Sequence, residues 1–464
     1  MRHIVTAFLV SFAGLAGCAE PSVPTPEAEP PRPPRAAPTE ASAIALLEKY
    51  KGTYTRDETR PGRPVVTVKI VHSRLDDEDV AELVPLTELT SLGLFSKKVT
   101  DAALKDIARF RQLKQLTLGR TRVTGSAFKE LAPLDRLEQL ELLDFSVNPE
   151  HLKELAALKS LTSLYLMKDL FADDCIRDAD LKTISTIKTL TELELTFNPI
   201  TDEGLDALAA LPKLARLNLT TTEVSDAGMK KLAALKSLTS LCIDQTAVTD
   251  EGLKELTAVK GLRTLSVRRW NKIAPGGGLV TGEGLVPLKG LREIALMGTE
   301  ADDDTLKLLA GHKELAKLDL SCTKVTDAGL QEFAKFPALI DLDLHSTKIT
   351  DRGVKELTAI RNLTALCLSY TPVTDAGVKE LLALKKLKSL HLTETAVTNK
   401  GLKLFSQFEH LAELGISGLK LDDEGVEAVL ALKGLTRLEL YSTEITDENL
   451  ERLRKGLPKC QIMR

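Results

Sequence analysis

Apolar residues recur along this chain every 24 positions, in the frame Leu-x-x-Leu-x-Leu-x-x-Thr-x-Val-Thr-Asp-x-Gly-Leu-Lys-x-Leu-x-x-Leu. The segment from Leu363 holds it in full, with Leu366, Leu368, Thr371, Val373, Thr374, Asp375, Gly377, Val378, Leu381 and Leu384. Taking the first leucine as the register mark, repeats open at Val65, Leu89, Leu113, Leu137, Leu161, Leu190, Leu214, Leu238, Leu262, Leu291, Leu315, Leu339, Leu363, Leu387, Leu411 and Leu435. Only the steps 161→190 and 262→291 depart from 24, and both are 29. Each repeat changes its apolar period halfway. The alternation Leu241, Ile243 or Leu342, Leu344 has the period of two that predicts a short strand. The spacing of Leu253, Leu256 and Val259 is helical. Between the two halves stands Thr-Asp-x-Gly, whose Thr or Asp is expected to accept from the first unpaired helix amides. One strand and one helix cannot bury a core alone. Sixteen stacked repeats can: the expected fold class is α/β, a solenoid with a parallel sheet inside, helices outside and a continuous leucine core.

On these motifs, over about residues 65–458, the chain resembles the leucine-rich repeat family. It is most similar to the ribonuclease-inhibitor-like and cysteine-containing types, whose repeats carry a Thr/Cys-x-Ile-Thr-Asp segment. The resemblance implies an arc with the sheet on its concave face and ligands held there. The family often places Asn or Cys at the ninth position of the repeat. Here it is usually Thr (Thr222, Thr246, Thr323, Thr347, Thr371, Thr395, Thr443) and once Asn198, and a Thr hydroxyl there is expected to satisfy a neighbouring loop amide.

The N-terminus reads as an address. Residues 1–17 combine Arg2 with a short apolar run and end in Leu15-Ala16-Gly17 before Cys18, the layout of a secretory signal too short to span a bilayer. Leu-Ala-Gly-Cys resembles the bacterial lipobox, which implies cleavage before Cys18 and lipidation of its thiol. Residues 19–42 hold eight of the chain's twenty prolines, so 18–42 is expected to be an extended, disordered tether reaching at most ~75 Å. Residues 43–64 form the expected N-terminal cap, with a helix starting at Ser42, burying Ile44, Leu47 and Tyr50, and closing at Gly52. The repeat domain is then 65–464. The expected location is an exported lipoprotein of the outer membrane, periplasm or cell surface.

Lys and Arg number 62 against 66 Asp and Glu, a balance that offers no basic footprint for nucleic acid. Cys242, Cys322 and Cys367 fall in repeats too far apart to pair, Cys175 sits in an insertion and Cys460 at the far end, so free thiols are expected. The sequence calls for no cofactor and for a monomer whose only membrane contact is the lipid anchor.

Three groups are candidates for a site. The first is an apolar cluster at fifth, seventh and eighth positions, Phe95, Leu143, Tyr165, Met167 and Phe197, expected to face solvent as an interaction surface. The second is the pair of insertions, 169–180 and 270–284, carrying Asp173, Asp174, Asp178 and Asp180 in one, and Trp270 with Gly276, Gly277 and Gly278 in the other. Neither matches a calcium loop or a phosphate loop. The third is a polar lane of fifth positions, Asp319, Asp343, Cys367 and His391, with His345 beside it; Asp343, Cys367 and His391 are near enough in register to share a metal. The leading expectation is a non-enzymatic, lipid-anchored protein binding a protein or glycan on its concave face. The alternatives are a metal-dependent or Cys/His enzyme using the Asp343/Cys367/His391 lane, and a purely structural or adhesive envelope protein. Related repeats occur in ubiquitin-ligase substrate adaptors, from which the export signal points away.

Overall fold

The structure, a computed structural model, describes residues 37–145, 147–168, 175–270 and 279–464. The signal segment, Cys18, most of the tether, Asp173, Asp174 and the three glycines of the second insertion lie outside the described residues. Among the described residues eighteen strands form one sheet. The first, Thr53–Arg56, pairs antiparallel with Val65–Val71, and every later strand pairs in parallel with the one before it, in chain order, to Gln461–Met463. The expected solenoid is therefore present, with one strand more at each end than the leucine frame marks.

Each strand follows the period-two expectation. In Ala365–Cys367, Leu366 is buried toward the helices while its two neighbours are half-buried on the open face. The convex side is more varied than a ring of helices. It alternates short α-helices such as Asp351–Leu357 and Asp375–Leu381 with 3₁₀ turns such as Phe128–Leu131, Pro149–Ala157 and Gly329–Lys335. Thirteen residues separate the Thr-Asp step from the next strand, as in 352–364, and the turn that leads into that strand takes up part of them, so no longer helix fits.

The Thr-Asp step does two jobs. Thr374 Oγ1 accepts from Ala376 N at 3.2 Å and caps its own helix. Asp351, expected to cap as well, instead reaches the next repeat and accepts from Thr374 N (2.8 Å), Thr374 Oγ1 (2.6 Å) and Gly377 N (2.9 Å). The same rung joins Asp77 to Thr100, Asp202 to Ser225, Asp226 to Thr249, Asp303 to Thr326, Asp327 to Thr350 and Asp375 to Thr398. Glycine follows because the carboxylate fills the space of a side chain: a Cβ on Gly353 would overlap Asp327 Oδ1. The ninth-position threonines differ from expectation. Thr347 and Thr371 donate to the carbonyls of Leu344 and Leu368, three residues back in their own repeats. Asn198 bridges repeats, accepting from Ile176 N and donating to Leu166 O, and Thr443 donates to Ile416 O of the repeat before it. Eighth positions are left-handed, as in Arg120, Phe197, Cys322 and Tyr370. At Gly298 the turn also leaves no room, since a Cβ would overlap the Arg269 carbonyl.

At the N-terminus the helix spans Glu40–Lys49, capped by Thr39 rather than starting at Ser42, because Ser42 and Thr39 exchange side-chain and backbone hydrogen bonds as a capping box. It buries Ala43, Leu46 and Leu47 over the open end of the core, with Ile44 only half-buried.

Candidate binding face

The strand register aligns like positions into lanes, with neighbouring strands about 4.8 Å apart. The seventh-position lane begins Val71, Phe95, Gly119, Leu143, Met167, each paired in register with the next. Three of the expected cluster residues thus share one lane. Phe95, Leu143 and Met167 are half-buried rather than open, and for Phe95 the cause is visible at Gly119. The Phe95 ring lies across it, so that a Cβ there would overlap the ring, and Lys69 Nζ sits 5.2 Å from the ring centroid. Tyr165 stands in the adjoining fifth-position lane. Phe197 does not join the lane; it occupies a left-handed turn one residue beyond it. Trp270, 45% exposed, follows the strand Thr264–Ser266, several strands away. Val71, 63% exposed, belongs to the lane and was not among the sequence candidates.

Beside this apolar lane the fifth-position lane turns acidic. Glu141 accepts from Thr117 Oγ1 at 2.9 Å and from Gln139. Glu194 accepts from Asn218 Nδ2 at 2.6 Å, from Thr196 N at 3.1 Å and from the Thr196 hydroxyl. Glu192, in the third-position lane, is bound by Arg216 at 2.6 Å. Around Glu192, Glu194, Arg216, Asn218, Ser240 and Cys242 lies a hollow of about 180 Å³. Burial pushes the Glu194 carboxyl up to about 7, hydrogen bonds from Thr196 and Asn218 countering only part of it. Burial and then the charge of Glu192 beside it raise the Tyr165 hydroxyl.

Farther along, Asp343, Cys367 and His391 occupy consecutive register positions, as the sequence predicts. Asp343 and Cys367 meet side chain to side chain, but His391 does not join them. His391 lies across Gly415 and reaches Glu439, its Nδ1 3.5 Å from Oε2. Asp343 accepts from the His345 amide at 2.8 Å, and Cys367 donates to Ser369 Oγ at 3.5 Å. Among the described residues no group of three such side chains is arranged to hold a metal. Burial, and then the charge of Asp343, push the Cys367 thiol up to about 12, which favours its protonated form at neutral pH. His345 instead meets Tyr370 edge to face, ring centroids 5.0 Å apart, with Tyr370 half exposed. Cys175, Cys242, Cys322, Cys367 and Cys460 are free thiols. Of the first insertion's acids, Asp178 serves the fold, accepting from Thr201 N and Oγ1 as a convex rung, and Asp180 accepts from Arg177 N at 2.8 Å. No described helix is long and apolar enough to cross a membrane.

The model of the Leucine Rich repeat family matches residues 186–209, 315–334 and 383–406. No curated protein matches by sequence. Among solved structures, a leucine-rich repeat protein of Leptospira interrogans shares 23% identity over 82% of this chain and 92% of its own, with a TM-score of 0.45. An internalin of Listeria monocytogenes shares 18% over 92% and 94%, at 0.34. TLR13, solved in complex with ssRNA13, shares 17% over 85% of this chain and 62% of its own, at 0.51, and shows the same fold. By its repeat motif and by its fold, the chain is built as a leucine-rich repeat solenoid.

Proposed function

We propose that this protein is a binding scaffold of the bacterial envelope, held to a membrane by a lipid on Cys18 and capturing a protein or glycan on its concave face. The observation that carries the binding half is the seventh-position lane. Val71, Phe95, Leu143 and Met167 set large apolar side chains along the open side of a sheet whose other face already holds the core. Apolar side chains lined up on a solvent-facing sheet mark interaction surfaces. The envelope half rests on the signal-like N-terminus and its Leu-Ala-Gly-Cys end.

Membrane fractionation of wild type beside Cys18→Ala, with mass spectrometry of the mature N-terminus, tests the address. Lipidated wild type in the membrane fraction and a shifted variant support it; a soluble, unprocessed chain in both strains ends it. Binding is tested by capture from envelope extracts with wild type, Leu143→Glu/Met167→Glu and Tyr370→Ala. A protein or glycan retained by wild type and lost by a concave-face variant supports the reading. Identical recovery by all three leaves a structural or adhesive role.

A further inference from the structure

The apolar lane and the acidic lane are neighbours, and together they specify the chemistry of an occupant. Met167 and Tyr165 lie two residues apart on one strand, and Tyr165 pairs in register with Glu194 on the next. Glu194 is thus roughly 8 Å from Met167 across the face, from the strand spacing and rise. Three carboxylates, Glu141, Glu192 and Glu194, line this part of the sheet, and one cation, Arg216, faces them. Arg216 is committed to Glu192. No ion pair among the described residues reaches Glu141 or Glu194, whose acceptor bonds come from the neutral donors Thr117, Gln139, Thr196 and Asn218. Carboxylates drawn out of water without a cation are costly, and a cation brought by a partner removes that cost. The hollow between Glu192, Glu194 and Asn218 has room for the end of one long side chain.

Resting on the concave-face reading above, we infer that the surface from Val71 to Cys242 binds a polypeptide segment that sets large apolar side chains on the Phe95, Leu143 and Met167 lane and a lysine or arginine in the hollow beside Glu194. A glycan supplies neither a cation nor that apolar area. Nucleic acid would bring phosphates onto the carboxylates.

The test is an array of random synthetic peptides probed with the purified full-length protein, then with Glu141→Gln/Glu194→Gln and Leu143→Ser/Met167→Ser. The Gln pair keeps shape and most hydrogen bonds while removing the charges. Expected is enrichment of peptides pairing Lys or Arg with Leu, Met or Phe, weakened by rising salt. Their affinity should fall about five- to ten-fold in the Gln pair and by a similar factor in the Ser pair. Bound peptides without basic enrichment, no bound peptides at all, or full affinity in the Gln pair would overturn the inference. A thermal melt of each variant matching wild type excludes misfolding as the cause of lost affinity. Envelope capture separates the two readings. A partner lost with Tyr370→Ala but kept by both pairs sinks this inference and leaves concave-face binding standing, while a partner kept by every variant sinks both.

Discussion

Two stretches of the same leucine frame, the repeats opening at Leu113, Leu137 and Leu161 and those opening at Leu315, Leu339, Leu363 and Leu387, differ on both faces at once. In the first, strands run five residues, as in Gln139–Leu143 and Ser163–Met167, and the seventh positions are Gly119, Leu143 and Met167. In the second, strands stop at three, as in Asp341–Asp343. In the repeats opening at Leu315 and Leu339 the reason lies in the fifth-position side chain. Asp319 and Asp343 take the seventh-position amides of Ser321 (3.0 Å) and His345 (2.8 Å), so those amides leave the sheet ladder. On the convex side the second stretch is latched by rungs from Asp303, Asp327, Asp351 and Asp375. In the first, rungs stand only at the two ends, from Asp101 to Thr124 and from Asp178 to Thr201; between them Gly125 and Pro149 stand where the aspartates belong, and a backbone bond from Asn148 N to Thr124 O replaces one of the missing rungs. The leucines set the stack, while polar side chains decide which parts of it are tied and which expose apolar surface.

The largest test of this contrast is removal of a rung. Asp351→Ala takes three hydrogen bonds from a half-buried carboxylate, two of them to backbone amides then left without an acceptor. A loss of about 3 kcal/mol is expected, read as a lower urea midpoint with a broadened transition, because adjoining repeats are coupled only through such interfaces. Pro149→Ala, at the equivalent position of the unlatched stretch, should cost less than about 1 kcal/mol, the unfolded-state effect of a proline. Equal losses would mean that the rungs do not set the difference. Amide exchange should report the same order, slower for residues 339–398 than for 137–160.

A subtler device guards the ladder's ends. Where the helix-capping threonine of a repeat after the first is replaced by an acid, at Asp302 and Asp422, the preceding repeat has lost its own aspartate, to Gly282 and Asn399. Two carboxylates never face each other across a rung. Asn399 Oδ1 is buried with no hydrogen-bond partner among the described residues, and Gly425 packs against it. Asn399→Asp alone should destabilise by about 1–2 kcal/mol through repulsion with Asp422. Adding Asp422→Thr should rebuild the rung found at Asp375 and Thr398, with a favourable coupling of about 1–2 kcal/mol in a double-mutant cycle followed by urea unfolding. Additive effects would refute the pairing rule.

The stack was legible in the sequence because every repeat repeats its buried positions, and the lane of Phe95, Leu143 and Met167 was legible because a 24-residue step returns to the same lane. What escaped depends on contacts between repeats. The reach of Asp351 into the next repeat leaves no local trace beyond a glycine, and the direction of His391 is set by the absence of a side chain at Gly415. Phe197 stands at the eighth position, as the frame has it, and that position is a left-handed turn beside the lane. Val71 was passed over because its repeat reads as a polar terminus. The final strand, Gln461–Met463, was missed because Lys459 and Arg464 stand where the frame asks for leucines, leaving only Ile462 in place.

The smallest effect concerns the concave face and is visible only as a pH dependence. Glu194 has a folded-state pKa of about 7 against an ordinary value of 4.5, with burial as the main cause. The folded chain therefore holds a proton that the unfolded chain releases. Its contribution is neutral below about pH 4.5, becomes unfavourable through the window up to 7, and is fully unfavourable above it. Glu194→Gln removes that charge while keeping an acceptor for Asn218 and Thr196. The variant should melt with wild type at pH 4 and a few degrees above it at pH 8, in thermal melts across that range. A variant less stable than wild type at pH 8 would show that the carboxylate is well solvated or already paired, and the acidic face would then match the latched stretch, where buried carboxylates serve the fold rather than a partner.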